Sequence, residues 1–183
     1  MNCEKFHYLR WFGVITLGVY WALTLVSIMY NPSFSIFKNA LSDLGATNAN
    51  FPWIYNSALI FSAPFFFLFS LYLLCAATNK LQVIGASFLV ISSLFLAFIG
   101  IFHSGTRPHG FVSTYFFFQS FLGILVWGMG SRKTMKLGIS LFLCALVGAF
   151  LPWPSTAILE IYEIFLIAIF AFFVPLQSLE RAL

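Results

Sequence analysis

IYNSALIFSAPFFFLFSLYLLCAA, residues 54–77, contains no charged side chain. Wound as a helix at about 1.5 Å per residue, a stretch of this length is about 36 Å long. That crosses the roughly 30 Å hydrocarbon layer of a bilayer. The rest of the chain has the same character. Of 183 residues, 61% are hydrophobic, 20% aromatic and only 8% charged, with a mean hydropathy of +0.97. A soluble domain carries about 25% charged residues. A chain this short has no single core able to hide so much apolar surface, so its solvent is lipid. Helices are the open-ended elements that satisfy their own backbone hydrogen bonds there. The expectation is an all-α, polytopic membrane protein: one domain of six transmembrane helices.

The spans are expected at about 11–30, 54–77, 83–102, 111–129, 137–150 and 155–176. The first is long, contains Trp11 and Trp21, and lacks a small-residue cleavage site, so it reads as a retained span. Lys5, Arg10, Lys80, Arg132, Lys133, Lys136 and Arg181 fall on one side of such a bundle, and Lys38 and Arg107 on the other. The excess of basic side chains in short cytoplasmic loops then places both termini in the cytoplasm of a multi-pass protein of the cell (plasma) membrane. The basic balance is a topology signal, so no nucleic-acid partner is expected. Cys3, Cys75 and Cys144 show neither metal nor disulfide spacing and read as small buried hydrophobes. Ser140, Cys144 and Gly148 form a small-residue row on the fifth helix that predicts close helix approach. The triplets Phe65–Phe67 and Phe116–Phe118 put bulk all round their helices and partly face lipid.

Polar residues gather on the extracytoplasmic side of this topology. Asp43 lies in the first outer loop, His103, Arg107 and His109 in the second (HSGTRPHG, 103–110), and Glu160 and Glu163 early in the sixth helix. The glutamates stand three apart and share a helix face. An ionised carboxylate deep in a membrane helix costs about 2.5–3.5 kcal/mol, so partners or a function are expected for both. Pairing with Arg107 or a histidine is the structural alternative to a functional site. His103 and His109 do not have the i, i+4 spacing of a helical zinc pair, and no histidine lies inside a span to hold a haem. No metal or other cofactor is expected.

In the first outer loop, Asn31–Pro32 reads as a helix start. Phe34, Phe37, Leu41 and Leu44 follow at spacings of three and four, and Gly45 is a stop signal. This predicts a short amphipathic interfacial helix between helices 1 and 2. Asp43 would sit at its negative end, either capping the next turn or pairing with a cation. Trp53, Tyr55 and Trp153 fit an aromatic belt at the same face, or the wall of a headgroup pocket.

Ser42–Gly45 (SDLG) after the NP start, Asn56, GIF at 100–102, His109, Ser113 to Phe117 and a last-helix glutamate together resemble a known family. It is the family of six-span prokaryotic membrane proteins catalogued as domain of unknown function 998. His103 departs from its pattern. The SD-x-G loop is also distantly similar to that of the DRAM and Sfk type six-span proteins, which implies a link to lipid handling.

Two functions follow. In the first, the protein binds membrane lipid, or a partner subunit that includes a second copy of itself, through the polar cluster. Ser42, Asn56, His103, Arg107, Trp53 and Trp153 would line that site. In the second, the protein is an intramembrane hydrolase or transferase acting on a lipid headgroup. Asp43, His109, Glu160 and Glu163 would then be catalytic, a glutamate serving as general base and Arg107 holding phosphate, with or without a metal. No nucleophile signature, phosphate loop or cofactor motif is present, which favours binding. Proton relay is disfavoured because the inner halves of the helices lack matching ionisable groups.

Overall fold

A computed structural model describes residues 3–179, so Glu180 and Arg181 lie outside the described residues. A 3-10 segment, Cys3–Trp11, leads into α1 (Phe12–Tyr30). There follow α2 (Pro52–Ala76), α3 (Lys80–Ile101), α4 (His109–Met129), α5 (Arg132–Phe150) and α6 (Thr156–Leu179). Six helices are long and apolar enough to cross a membrane, and no strand occurs among the described residues. The protein is therefore an all-helical, six-span membrane protein.

The helix starts follow local chemistry. Pro52 opens α2, where its missing N–H is no loss. Asn79 caps α3 by accepting from the Gln82 amide at 3.1 Å, and Ser131 caps α5 from the Lys133 amide at 3.3 Å. The fifth helix starts at Arg132, earlier than its apolar run. Arg132, Lys133 and Lys136 occupy its first turns and are exposed, because long basic side chains reach the aqueous layer from within a helix end.

Helices α1 to α5 pack in chain order, each on the next, and α6 returns to close the bundle against α5 and α1. The core runs through Phe69, Leu73, Leu89 and Ile124, which are fully buried. Between α3 and α4, the Ser92 and Ser120 hydroxyls lie 2.5 Å apart and Ser92 donates to the Phe116 carbonyl at 3.1 Å. Polar bonds of this kind join helices that lipid gives no hydrophobic reason to associate. The close approaches are made by glycine. A Cβ at Gly85 would lie 2.3 Å from the Trp127 backbone nitrogen, and one at Gly128 would lie 2.8 Å from the Gly138 Cα.

Three local expectations are corrected. The predicted row on α5 is not the seam: Ser140 and Cys144 are exposed, and the buried stripe is Thr134, Gly138, Leu141, Ala145 and Gly148. Two cysteines also depart from the expected small buried hydrophobe: Cys144 is a free, exposed thiol and Cys75 is disulfide-bonded.

The third correction positions the site. No amphipathic helix forms over residues 31–45; the chain makes turns and then a single 3-10 turn, Leu41–Gly45. The four apolar residues do not share a face, because Phe37 is 62% exposed while Leu41 and Leu44 are buried inside the bundle. Asparagine, serine and aspartate side chains capture the backbone that a helix would need. The Asn39 side chain accepts from the Ser35 amide at 2.9 Å, and Asp43 Oδ2 accepts from the Ala40 amide at 2.9 Å. Asn31 closes α1 rather than opening a new helix.

Candidate functional site

The loop 31–51 is fixed at its base and at its tip. At the base, the Asn31 side chain donates to the Ser27 carbonyl at 2.8 Å and to the Asn50 carbonyl at 3.0 Å. It also accepts from the Asn50 amide at 2.8 Å, and the Asn50 side chain donates to the Tyr30 carbonyl at 3.0 Å. Beside this clamp, Phe51 adopts a left-handed conformation (φ 52°) that turns the chain into Pro52, its ring edge-on to Tyr30 at 5.2 Å.

At the tip, the loop docks on the first turns of α6. The Ser155 hydroxyl donates to the Ile36 carbonyl. The Ala157 amide donates to the Asn39 carbonyl at 3.0 Å, and the Leu41 amide donates to Glu160 Oε2 at 2.6 Å. The loop thus supplies an acceptor for one of the unpaired amides that every helix start presents. Asp43 and Glu160 accept the consecutive amides of Ala40 and Leu41. Asp43 stands at the third position of the 3-10 turn, at its positive end, and caps it. This reverses the expected placement at a negative helix end. The turn's far end is held by Asn56, which donates to the Gly45 carbonyl at 3.1 Å. A Cβ at Gly45 would lie 2.2 Å from the Asn56 carboxamide oxygen, so the approach requires glycine.

Beneath the docked loop lie two hollows that share Ser113, Phe117 and Glu160. The first is an axial cavity along the bundle. Helix α1 lines it with Gly13, Thr16 and Tyr20, α2 with Tyr55, Leu59, Ser62 and Phe66, and α6 with Glu160, Ile164, Ile167 and Ala171. About 70 Å³ of it is open to water-sized solutes. Ser42 looks in from the loop, and the Tyr20 and Tyr55 hydroxyls lie 3.3 Å apart. The second hollow is a groove of about 380 Å³ between α4, α5 and α6. Its walls are Phe117, Phe118, Phe121, Phe142 and Leu146, together with both Glu160 and Glu163. Phe118 and Leu146 at its rim are about half exposed, so the groove opens sideways from the bundle.

The remaining predicted residues do not converge on the glutamates. His109 Nδ1 bonds the Phe102 carbonyl at 2.8 Å and His103 Nδ1 the Ser104 carbonyl at 2.9 Å, so both staple their own loop. Arg107 is exposed at the tip of that loop. Trp153 donates from its indole to the Gly148 carbonyl at 2.6 Å, finishing α5, and packs on Tyr162 at 5.1 Å. Trp53 is 64% exposed. Glu163 has no hydrogen-bond partner among the described residues, and no group of three or more His, Cys, Asp or Glu is placed among them to hold a metal. The arrangement is rich in hydrogen-bond acceptors and hydroxyls and has no cation in either lining. It can hold a hydrogen-bond donor beside an apolar wall.

Sequence reading missed Asn31 and Asn50 as a clamp, Ser155 as a docking donor, and the cavity residues Thr16, Tyr20 and Ser62. Their one signal is helical spacing. Gly13, Thr16, Leu17 and Tyr20 recur at three and four, as do Tyr55, Leu59, Ser62 and Phe66, a mixed polar and apolar stripe that a uniformly greasy helix hides.

No curated protein and no solved structure matches this chain, and the wider likeness to the DRAM and Sfk type proteins is therefore not shown. A family model described as protein of unknown function (DUF998) matches residues 14–176, a stretch that takes in all but the ends of the six-helix bundle, and the chain belongs to that family.

Proposed function

We propose that this protein binds membrane lipid through the end of the bundle that carries the docked loop. That end would face away from the cytoplasm in the cell membrane. The orientation is supported by Lys80, Arg132, Lys133 and Lys136 gathering at the opposite end, against Lys38 and Arg107 here. The observation that carries the reading is the sideways-opening groove between α4, α5 and α6. An apolar wall of phenylalanines with two carboxylates on neighbouring turns of α6 suits an amphiphile, whose chain lies against the rings while its head meets the oxygens. Glu163 has its hydrogen-bonding capacity unused, which a bound headgroup would take up.

The hydrolase alternative has no comparable support, because His109 is bonded within its own loop and Arg107 stands at that loop's tip. The test is lipid analysis by native mass spectrometry on protein extracted with minimal detergent. Leu146→Trp, which fills the groove, should strip the retained lipid that the parent protein carries. Equal lipid retention by the two proteins would overturn the reading.

A further inference from the structure

The axial cavity has a form distinct from the groove. Its polar side chains gather at one end, and the rest of its lining is apolar apart from Thr16 and Ser62. Tyr20, Tyr55, Ser42 and Glu160 surround the end beneath the loop. From Glu160 to Ala171 is eleven residues of α6, about 16 Å along the bundle axis. At the far end the helices approach closely: a Cβ on Gly13 would lie 3.1 Å from the Ala171 Cβ and 3.2 Å from the Phe69 ring.

The bore is narrow. Spreading about 70 Å³ over about 16 Å leaves roughly 4 Å² for the centre of a solute, hence a width of about 5 Å once the 1.4 Å radius of water is added on each side. One unbranched hydrocarbon chain passes such a bore and a headgroup does not. A file of water is the competing occupant, but each buried water needs 2–4 polar partners. Leu59, Phe66, Leu96, Ile99, Ile164 and Ile167 offer none, and Thr16, whose hydroxyl donates to the Phe12 carbonyl at 2.8 Å, and Ser62 are too few to hold a continuous file. Ser62 also lines the cavity, and its hydroxyl, like those of Thr24 and Ser27 elsewhere in the bundle, has no hydrogen-bond partner.

We propose that the axial cavity takes the hydrocarbon chain of a single-chain amphiphile whose head is a hydrogen-bond donor, a hydroxyl or an amine, held by Glu160, Ser42 and the Tyr20–Tyr55 pair. The lining contains no lysine, arginine or histidine, so a carboxylate or phosphate head has nothing to offset its charge beside Glu160. The inference rests on the lipid-binding reading above and assigns it a ligand class and an inner subsite.

The test uses the full chain in detergent micelles, titrated with primary alcohols, primary amines and fatty acids of graded length, with binding read by native mass spectrometry. In the parent protein, affinity rises about fourfold per methylene, the equivalent of about 0.8 kcal/mol, up to a limiting length and then stops. Alcohols and amines bind at least tenfold more tightly than the acid of equal length. Ser62→Leu fills the bore part-way and moves the limit to shorter chains, whereas Ser62→Ala leaves the limit unchanged and controls for folding. An unchanged limit in Ser62→Leu, with binding abolished by Leu146→Trp, would overturn the axial site and leave groove binding standing. Acid binding equal to alcohol binding would overturn the head assignment. Binding of none of the three classes, with no lipid retained by the parent protein, would overturn both readings.

Discussion

Removing Glu160 should release the loop from α6 in a graded way. The carboxylate accepts the Leu41 amide at 2.6 Å, and Leu41 is fully buried. Glu160→Gln keeps an acceptor of the same shape but loses the charge. Hydrogen bonds to charged groups contribute about 1.5–3 kcal/mol against 0.5–1.5 for neutral ones, so the loss is about 1 kcal/mol. Glu160→Leu leaves the amide with no acceptor, at about 1–3 kcal/mol. At roughly 2–4 °C per kcal/mol for a chain of this size, the melting temperature should fall about 2–4 °C for glutamine and about 2–12 °C for leucine. Glu163→Leu is the internal control. It removes a carboxylate of the same helix that has no hydrogen bond and extends the apolar wall of the groove, so no fall is expected. Thermal scans of the purified protein give the ranking. Amide hydrogen exchange gives the location: protection over residues 36–45 should drop in Glu160→Leu and hold in Glu163→Leu. Equal melting temperatures for the two leucine variants, or unchanged exchange at the loop, would refute the docking argument.

Other outcomes follow from the same contacts. Asn31→Ala removes three side-chain hydrogen bonds at the loop base and Asn50→Ala only one, that to the Tyr30 carbonyl. Chemical denaturation should therefore show losses of about 2–3 and about 0.5–1 kcal/mol, in that order. Gly85→Val drives a side chain into the α4 backbone and should yield no monodisperse protein on size-exclusion chromatography. Gly18→Ala meets nothing within 4 Å and should raise stability by about 0.5–1 kcal/mol in the same denaturation assay. A cysteine at exposed Thr47, in a Cys144→Ala background, should react with a membrane-impermeant maleimide added to intact cells. Labelling that requires disrupted cells would reverse the proposed orientation.

The six helices were legible because each announces itself by length and by the absence of charge, and membrane solvation leaves the backbone few alternatives. Residues 31–51 were not. Phe34, Phe37, Leu41 and Leu44 carry a helical spacing, but spacing does not show that Asn31 is claimed by α1 or that Ser35, Asn39 and Asp43 turn back on their own backbone. Those local bonds are joined by others to Asn50 and to Glu160 of α6, partners 19 and 119 residues away along the chain. The two glutamates were legible as a pair needing an explanation. Their different roles were not, because Glu160 meets a backbone amide and amides carry no sequence signal. The histidines misled for the opposite reason: two imidazoles in one short loop look convergent, whereas each is satisfied by a neighbouring carbonyl.

The Leu41–Glu160 bond joins groups 119 residues apart. A ribosome adding about 5–20 residues per second takes about 6–24 s to travel from one to the other. For that interval the loop after the first span has no α6 to dock on, and water must serve its amides. The last helix is therefore the element that completes a structure begun by the first. A chain stopped before α6 would present an unmade loop, a signal by which quality control could tell an incomplete bundle from a finished one.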